Sequence, residues 1–151
     1  MHRRMRFALT AALVLSACDT SAPIDGSCYA PDTGAMLEAT IERWESVHGP
    51  VSGDFRDTLQ FQIVEGGPDG WHPACPDPSD PDLKGCTTWD RDTWEFHVQI
   101  LWCMSPELTE RTVYHELGHA LSRHHLGDID PDHLRVEVWN LVIEPLQDGV
   151  R

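Results

Sequence analysis

Apolar and polar residues repeat with two different periods along the chain, and the changes of period predict its helices and strands. Residues 35–48 carry apolar side chains every three or four positions, the spacing of one helix face, and Gly49-Pro50 predicts the end of that helix. Alternation with period two over 58–65 and 93–102 predicts two strands that are covered on one face. A shorter strand is predicted over 85–90.

The C-terminal third predicts two more helices. Ser105-Pro106-Glu107 is a helix start, with an N-cap serine, a first-turn proline and an acid near the positive helix end. This helix is expected to run to about Leu126, where Gly127 stops it. Asp130-Pro131 predicts a closing helix that ends near Gln147. The fold class is therefore α+β: a scaffold helix, a small mainly antiparallel sheet, a long helix and a closing helix.

The long helix carries the candidate chemistry, the run His115-Glu116-Leu117-Gly118-His119. Two histidines four residues apart lie on one helix face, so both imidazoles can reach one metal ion. Glu116 would lie beside that metal and could take a proton from a water that the metal has acidified to a pKa of roughly 7. This pattern resembles the zincin metallopeptidases. The resemblance implies a zincin-like fold, Zn²⁺ as cofactor, peptide-bond hydrolysis and Glu116 as the catalytic general base.

A catalytic zinc takes three protein ligands and keeps one position open, so a third ligand is needed. We choose His133, near the start of the predicted closing helix, by similarity to SprT-like short zincins. Glu137 is the alternative, because gluzincin peptidases take a glutamate from the second turn of such a helix. His125 ranks below both: it has the metzincin spacing, but Ser122 stands where metzincins have a glycine, and no methionine follows Met104.

The zincin resemblance also implies a substrate cleft bordered by the strand that precedes the active helix, where an extended peptide can pair with it. That strand is the one predicted over 93–102. Its apolar residues alternate and are expected to share one buried face: Trp94, Phe96, Val98, Ile100 and Trp102. The proline-rich loop at 66–86 carries no recognisable specificity signal.

The N-terminal segment predicts export. Residues 1–17 contain three arginines, then the apolar run Phe7 to Leu15, then Ser16-Ala17, which is the order of a secretory signal peptide. Leu15-Ser16-Ala17-Cys18 resembles a bacterial lipobox, which implies lipidation of Cys18 and a lipoprotein anchored in a membrane, facing the periplasm or the cell surface. Residues 18–33 would be the anchor and tether, and 34–151 the folded domain.

The length and net charge of the chain restrict its number of domains and its binding partners. Removing residues 1–17 from the 151 leaves 134, enough for one domain with a modest core. Taking the three signal arginines from the 11 basic residues leaves 8 against 25 acidic residues, a formal charge of −17. Such a surface repels phosphate backbones, so nucleic-acid binding is rejected.

The cysteine count agrees with export. With Cys18 lipidated, four cysteines remain, an even number for an oxidising compartment. We predict disulfides between Cys75 and Cys86 and between Cys28 and Cys103. The sequence therefore favours an exported zinc metallopeptidase acting on a peptide or protein substrate. The alternative is a non-catalytic zinc-binding or partner-binding envelope lipoprotein, which would not need Glu116.

Overall fold

The computed structural model describes residues 29–51, 53–64, 74–76, 84–101 and 104–150. The predicted signal peptide, the Cys18 anchor and the predicted Cys28–Cys103 disulfide lie outside the described residues. None of the helices among the described residues is both long and apolar enough to cross a membrane.

Two helices are followed by three strands and then by helices, and the α+β class is confirmed. In chain order they are α1 (Thr33–His48), α2 (Phe55–Thr58), β1 (Leu59–Val64), β2 (Gly85–Trp89), β3 (Phe96–Leu101), α3 (Pro106–Leu126), α4 (Val136–Val138), a π-helical segment (Trp139–Ile143) and α5 (Glu144–Gly149). The last three pieces follow one another without a break and together form the closing helix.

Capping residues define both ends of helix α1. Asp32 Oδ1 accepts the backbone N–H of Ala35 at 2.9 Å, which satisfies one unpaired donor of the first turn. Gly49, with φ of +90°, ends the helix. The prediction over 35–48 is confirmed, with two extra residues at the start. One face of α1 is buried: Met36, Thr40, Ile41 and Trp44.

The three-stranded sheet has the order β1-β3-β2 and is mixed. Strand β1 runs parallel to β3, with Leu59 opposite Phe96, and β2 runs antiparallel to β3, with Trp89 opposite Phe96. The prediction of a mainly antiparallel sheet is therefore wrong for one of its two pairings. The connection from β1 to β3 spans residues 65–95, which is long enough for the chain to return and pair in parallel.

The turn before β3 shortens that strand and exposes Trp94. The N–H of Asp90 donates to the Glu95 carbonyl at 2.8 Å, and the N–H of Trp94 donates to the Asp90 carbonyl at 3.0 Å. The strand therefore starts at Phe96, and Phe96, Val98 and Ile100 are buried as predicted. Trp94 is 67% exposed, so its predicted place on the buried face is wrong.

Helix α3 lies at the centre of the fold and packs against the sheet, α1 and the closing helix. Its first half contacts the sheet and α1 through a cluster of Met36, Val98, Ile100, Val113 and Leu117. Its second half belongs to a larger cluster with α1 and the closing helix, which includes Trp44, Ala120, Leu121, Trp139 and Val142. The predicted boundaries of α3 are confirmed, since Ser105 Oγ accepts the N–H of Leu108 and Gly127 ends the helix with φ of +79°.

The closing helix starts later than predicted, at Val136 instead of Pro131. Asp130 and His133 both have positive φ, +57° and +55°, and the N–H of His133 donates to the Asp130 carbonyl at 3.1 Å. Aspartate and histidine tolerate this left-handed region better than most residues. Residues 129–135 therefore form a loop between α3 and the closing helix, and His133 lies in that loop.

Candidate metal centre

Three histidines converge where α3 meets the loop at 129–135. Their ligating nitrogens all lie within 4.8 Å of one another. His119 Nε2 is 3.3 Å from His115 Nε2 and 3.4 Å from His133 Nε2. A tetrahedral zinc with Zn–N bonds of about 2.0–2.1 Å separates neighbouring nitrogens by about 3.3–3.4 Å, which matches the two distances from His119 Nε2. Among the described residues, no other group of His, Cys, Asp and Glu side chains converges in this way.

The backbone at Ile129 fixes the tautomer of His119. The Nδ1 atom of His119 is 2.8 Å from the Ile129 carbonyl oxygen, which can only accept, so Nδ1 carries the proton and donates it. The Nε2 atom is then left with its lone pair pointing towards the other two imidazoles. Metal-binding histidines in proteins are commonly oriented by such a backbone partner.

The two histidines of α3 are held in the neutral form that binds metal. Burial, with a smaller contribution in the same direction from the neighbouring His119 and His133, lowers the pKa of His115 to about 4. Burial also lowers the pKa of His119, against the opposite effect of the Ile129 carbonyl. Because a metal displaces a proton from any imidazolium it binds, neutral imidazoles favour metal binding at neutral pH.

Trp139 packs against all three histidines. Its ring centroid lies 5.2 Å from that of His115, 4.9 Å from His119 and 4.4 Å from His133. Gly118, inside the histidine motif, makes room for it, since a Cβ there would come within 2.7 Å of Trp139 Cζ3. The indole therefore limits how far the three imidazoles can turn.

Asp130 ties this tryptophan to the loop that carries His133. Its carboxylate accepts the indole N–H of Trp139 at 2.6 Å and the backbone N–H groups of Leu134 at 3.0 Å and Arg135 at 2.9 Å. Burial alone would raise the pKa of Asp130, but these hydrogen bonds lower it overall. The sequence reasoning missed this role because Asp130-Pro131 is equally typical of a helix start.

Glu116 lies between α3 and β2 and is only 4% exposed. Burial raises the pKa of its carboxyl to about 7, although the hydrogen bond from Thr87 acts in the opposite direction. The Thr87 hydroxyl donates to Glu116 Oε2 at 2.7 Å and also lies 3.0 Å from the Glu116 carbonyl oxygen. A threonine of β2, which the sequence analysis did not single out, therefore orients the candidate general base.

The strand that borders the centre is β2, and not β3 as expected. Strand β3 is paired on both sides, whereas β2 pairs with β3 alone among the described residues. Gly85 allows β2 to approach α3 closely, because a Cβ there would come within 2.8 Å of Glu116 Oε1. A cavity of about 340 Å³ lies between them, lined by Pro76, Gly85, Cys86, Thr87, His115, Glu116, His119, Ile129 and Pro131.

The predicted disulfide between Cys75 and Cys86 is confirmed. Cys86 is on β2, and Pro76, next to Cys75, lines the same cavity as the histidines. The bond therefore holds a short piece of the 66–86 loop at the wall of the cavity.

The chain matches no protein-family model, no characterised protein and no solved structure. What the protein does is therefore inferred from its own side chains.

Of the three candidates for the third ligand, the structure brings only His133 to the other two histidines. Glu137 is in the first turn of the closing helix, and its carboxylate lies 4.0 Å from the Arg135 guanidinium. His125 stacks on Trp44 of α1 at a centroid distance of 4.7 Å. Because residues 131–135 are not helical, His133 lies in the loop before the closing helix, whereas Glu137 lies on that helix.

Proposed function

We propose that this protein is a zinc-dependent peptidase of the zincin type, with His115, His119 and His133 as the zinc ligands. The observation that carries the proposal is the pairing of this three-histidine centre with Glu116, a buried carboxyl on the same helix and beside the same cavity. A site that only stores zinc has no need of a carboxyl with a pKa near neutrality next to its ligands.

Zinc, when held by the three imidazoles, supplies a Lewis acid that lowers the pKa of water to about 7 and polarises a carbonyl group. Glu116 acts on the protons. It takes one from the attacking water and returns it to the amine nitrogen that leaves. Burial of this carboxyl favours its neutral form, so it can hold the proton taken from water until the proton passes to the amine nitrogen. The Thr87 hydroxyl holds the carboxyl in place during the exchange.

The placement of β2 supports a peptide as the substrate. Its outer edge from Gly85 to Trp89 has no strand partner among the described residues and runs past Glu116. An extended peptide could add to this edge through main-chain hydrogen bonds, which would hold its backbone next to the three histidines. The substrate would then be recognised mainly by its backbone near the bond that is cut.

Zinc stoichiometry and peptide cleavage test the proposal together. The purified, disulfide-bonded protein is expected to bind one zinc per chain. The same is expected of Glu116→Gln, Glu137→Ala and His125→Ala, whereas His133→Ala binds it far more weakly. Cleavage of a mixed peptide library is expected for the wild type and the two alanine controls, and not for Glu116→Gln.

Each outcome has a definite meaning. Absence of zinc from the wild type after reloading would refute the metal centre. One tightly bound zinc without cleavage of any peptide would refute the enzyme and favour the non-catalytic zinc-binding lipoprotein.

We further propose that the protein is exported and anchored through a lipid on Cys18. The arginine-rich start, the apolar run and the lipobox-like residues before Cys18 support this, and the Cys75–Cys86 disulfide suits an oxidising compartment. Radiolabelled palmitate is expected to enter the wild-type protein and not Cys18→Ser, which should also be lost from the membrane fraction. Equal membrane association of both proteins would contradict the anchor.

A further inference from the structure

A second cavity, of about 420 Å³, lies further along β2 and α3, the two elements that border the cavity beside the metal centre. Trp89 of β2 and Arg123 of α3 contribute to its wall, together with Trp94, Phe96, Thr58 and His124. We call it the aromatic pocket. Three of the residues that line it, Trp89, Trp94 and Phe96, are large aromatic side chains, and Asp54 adds a carboxylate beside His124. The pocket therefore offers ring contacts to a flat group.

Trp94 is held in the pocket wall at a cost to the backbone. Its φ is +61°, a conformation that is unfavourable for a bulky side chain and that glycine adopts freely. The indole is 67% exposed, so burial of the ring offsets little of this cost. Backbone strain of this kind is concentrated at binding and catalytic sites. The turn therefore keeps an exposed tryptophan where a glycine would be more stable.

Trp89, another residue of the pocket wall, is held in place by its neighbours. The Arg123 guanidinium lies 3.8 Å from the centroid of the Trp89 ring and donates to the Gly127 carbonyl at the end of α3. Trp94 meets Trp89 edge to face, with centroids 5.6 Å apart and planes at 75°. Trp89 is thus fixed between a cation and a second indole, and a ligand entering the pocket would not have to order it.

The pocket lies within reach of a peptide bound at the metal centre. Thr87 contacts Glu116. Trp89 is two residues further along β2, so it lies about 6.6 Å from Thr87 at a rise of about 3.3 Å per residue. Along α3, Arg123 is seven residues beyond Glu116, about 10 Å at the rise of a helix. Since an extended peptide advances about 3.3 Å per residue, two or three residues cover these distances.

We propose that the aromatic pocket is a subsite of the substrate cleft and that it binds an aromatic side chain two or three residues from the bond that is cut. This inference rests on the proposed peptidase function. Aromatic rings favour edge-to-face and offset contacts of the kind that Trp89 and Trp94 offer, and one such side chain buries most of its surface in a pocket of this size.

The cleavage specificity of the zinc-loaded, full-length protein tests the inference. A random peptide mixture is digested and the products are sequenced, so that residue frequencies are known at each position around the cut bond. Phe, Tyr and Trp are expected to be enriched at the second or third residue on one side. A peptide with that aromatic residue and its alanine counterpart are then compared by kcat/KM, with an expected preference of at least about tenfold.

Trp94→Gly is the informative variant, with Trp94→Phe as the conservative one and Val47→Ala, an exposed site on α1, as the control. Trp94→Gly is expected to lose the aromatic preference and to unfold at a higher temperature because the strain is relieved. Trp94→Phe should retain most of the preference, and Val47→Ala all of it.

The outcomes separate the two proposals. Cleavage without an aromatic preference at these positions, or a preference that persists in Trp94→Gly, would overturn the subsite and leave the peptidase intact. A wild type that holds zinc and cleaves nothing would overturn the peptidase, and the subsite with it.

Discussion

Replacing Glu116 by glutamine is expected to abolish catalysis and yet to stabilise the metal-free protein above neutral pH. The cause is the burial of this carboxyl between α3 and β2, which raises its pKa from an ordinary 4.5 to about 7. Glutamine has nearly the same shape and cannot ionise. Its amide oxygen can still accept the hydrogen bond that the Thr87 hydroxyl donates to Glu116 Oε2.

The direction of the pH dependence follows from which state holds the proton more tightly. A raised pKa means that the folded protein binds the proton more strongly than the unfolded chain does. The stability associated with Glu116 is therefore fully present below pH 4.5 and is lost as the pH rises through about 7. The Glu116→Gln protein loses none of this stability as the pH rises, because glutamine does not ionise.

The size of the effect can be worked from the same values. A pKa that differs by about 2.5 between the folded and unfolded states corresponds to about 3 kcal/mol, at 1.36 kcal/mol per pKa unit. His115 and His119 have lowered pKa values, so they destabilise the folded protein as the pH falls below about 6.5. Both proteins contain these histidines, so their contribution largely cancels in the difference.

Urea unfolding with a metal chelator present and the disulfides intact measures that difference. Relative to wild type, the free energy of unfolding of Glu116→Gln is expected to increase by about 3 kcal/mol between pH 4 and pH 8. Glu137→Gln is the matched control for exchanging a carboxylate for an amide on the surface. A difference that is independent of pH, or a Glu116→Gln protein that is less stable than wild type at pH 8, would refute the reasoning.

Three further substitutions test the supports of the site. Asp130→Asn is expected to weaken zinc binding by about 10–100-fold in a competition assay with a chromophoric chelator, and an unchanged affinity would contradict its positioning role. Gly118→Ala should lower the free energy of unfolding in urea by about 1–3 kcal/mol, because the added Cβ meets Trp139. The control Gly34→Ala in α1 should not lower it. Stabilisation by both substitutions would be inconsistent with the contact between Gly118 and Trp139. Joint replacement of Cys75 and Cys86 by serine should cost about 3 kcal/mol in the same assay, and no loss would show that the bond does not constrain the unfolded chain.

The sequence alone determined the features that depend on neighbours a few residues away. The ends of α3 follow from Ser105 and Gly127, whose capping contacts reach at most four residues along the chain. The juxtaposition of His115 and His119 follows from the helical repeat. The Cys75–Cys86 pairing, separated by 11 residues, was also within reach of such local reasoning.

Only the tertiary structure decided the features that depend on residues far apart in the chain. The parallel pairing of β1 with β3 placed β2, and not β3, at the edge beside Glu116. The carboxylate of Asp130 turned a predicted helix start into the loop that brings His133 to His119, because it bonds Trp139 as well as its own neighbours. Short sequence patterns do not determine which strands pair or which N–H groups a carboxylate binds. Both depend on residues far apart in the sequence that come into contact only when the chain folds.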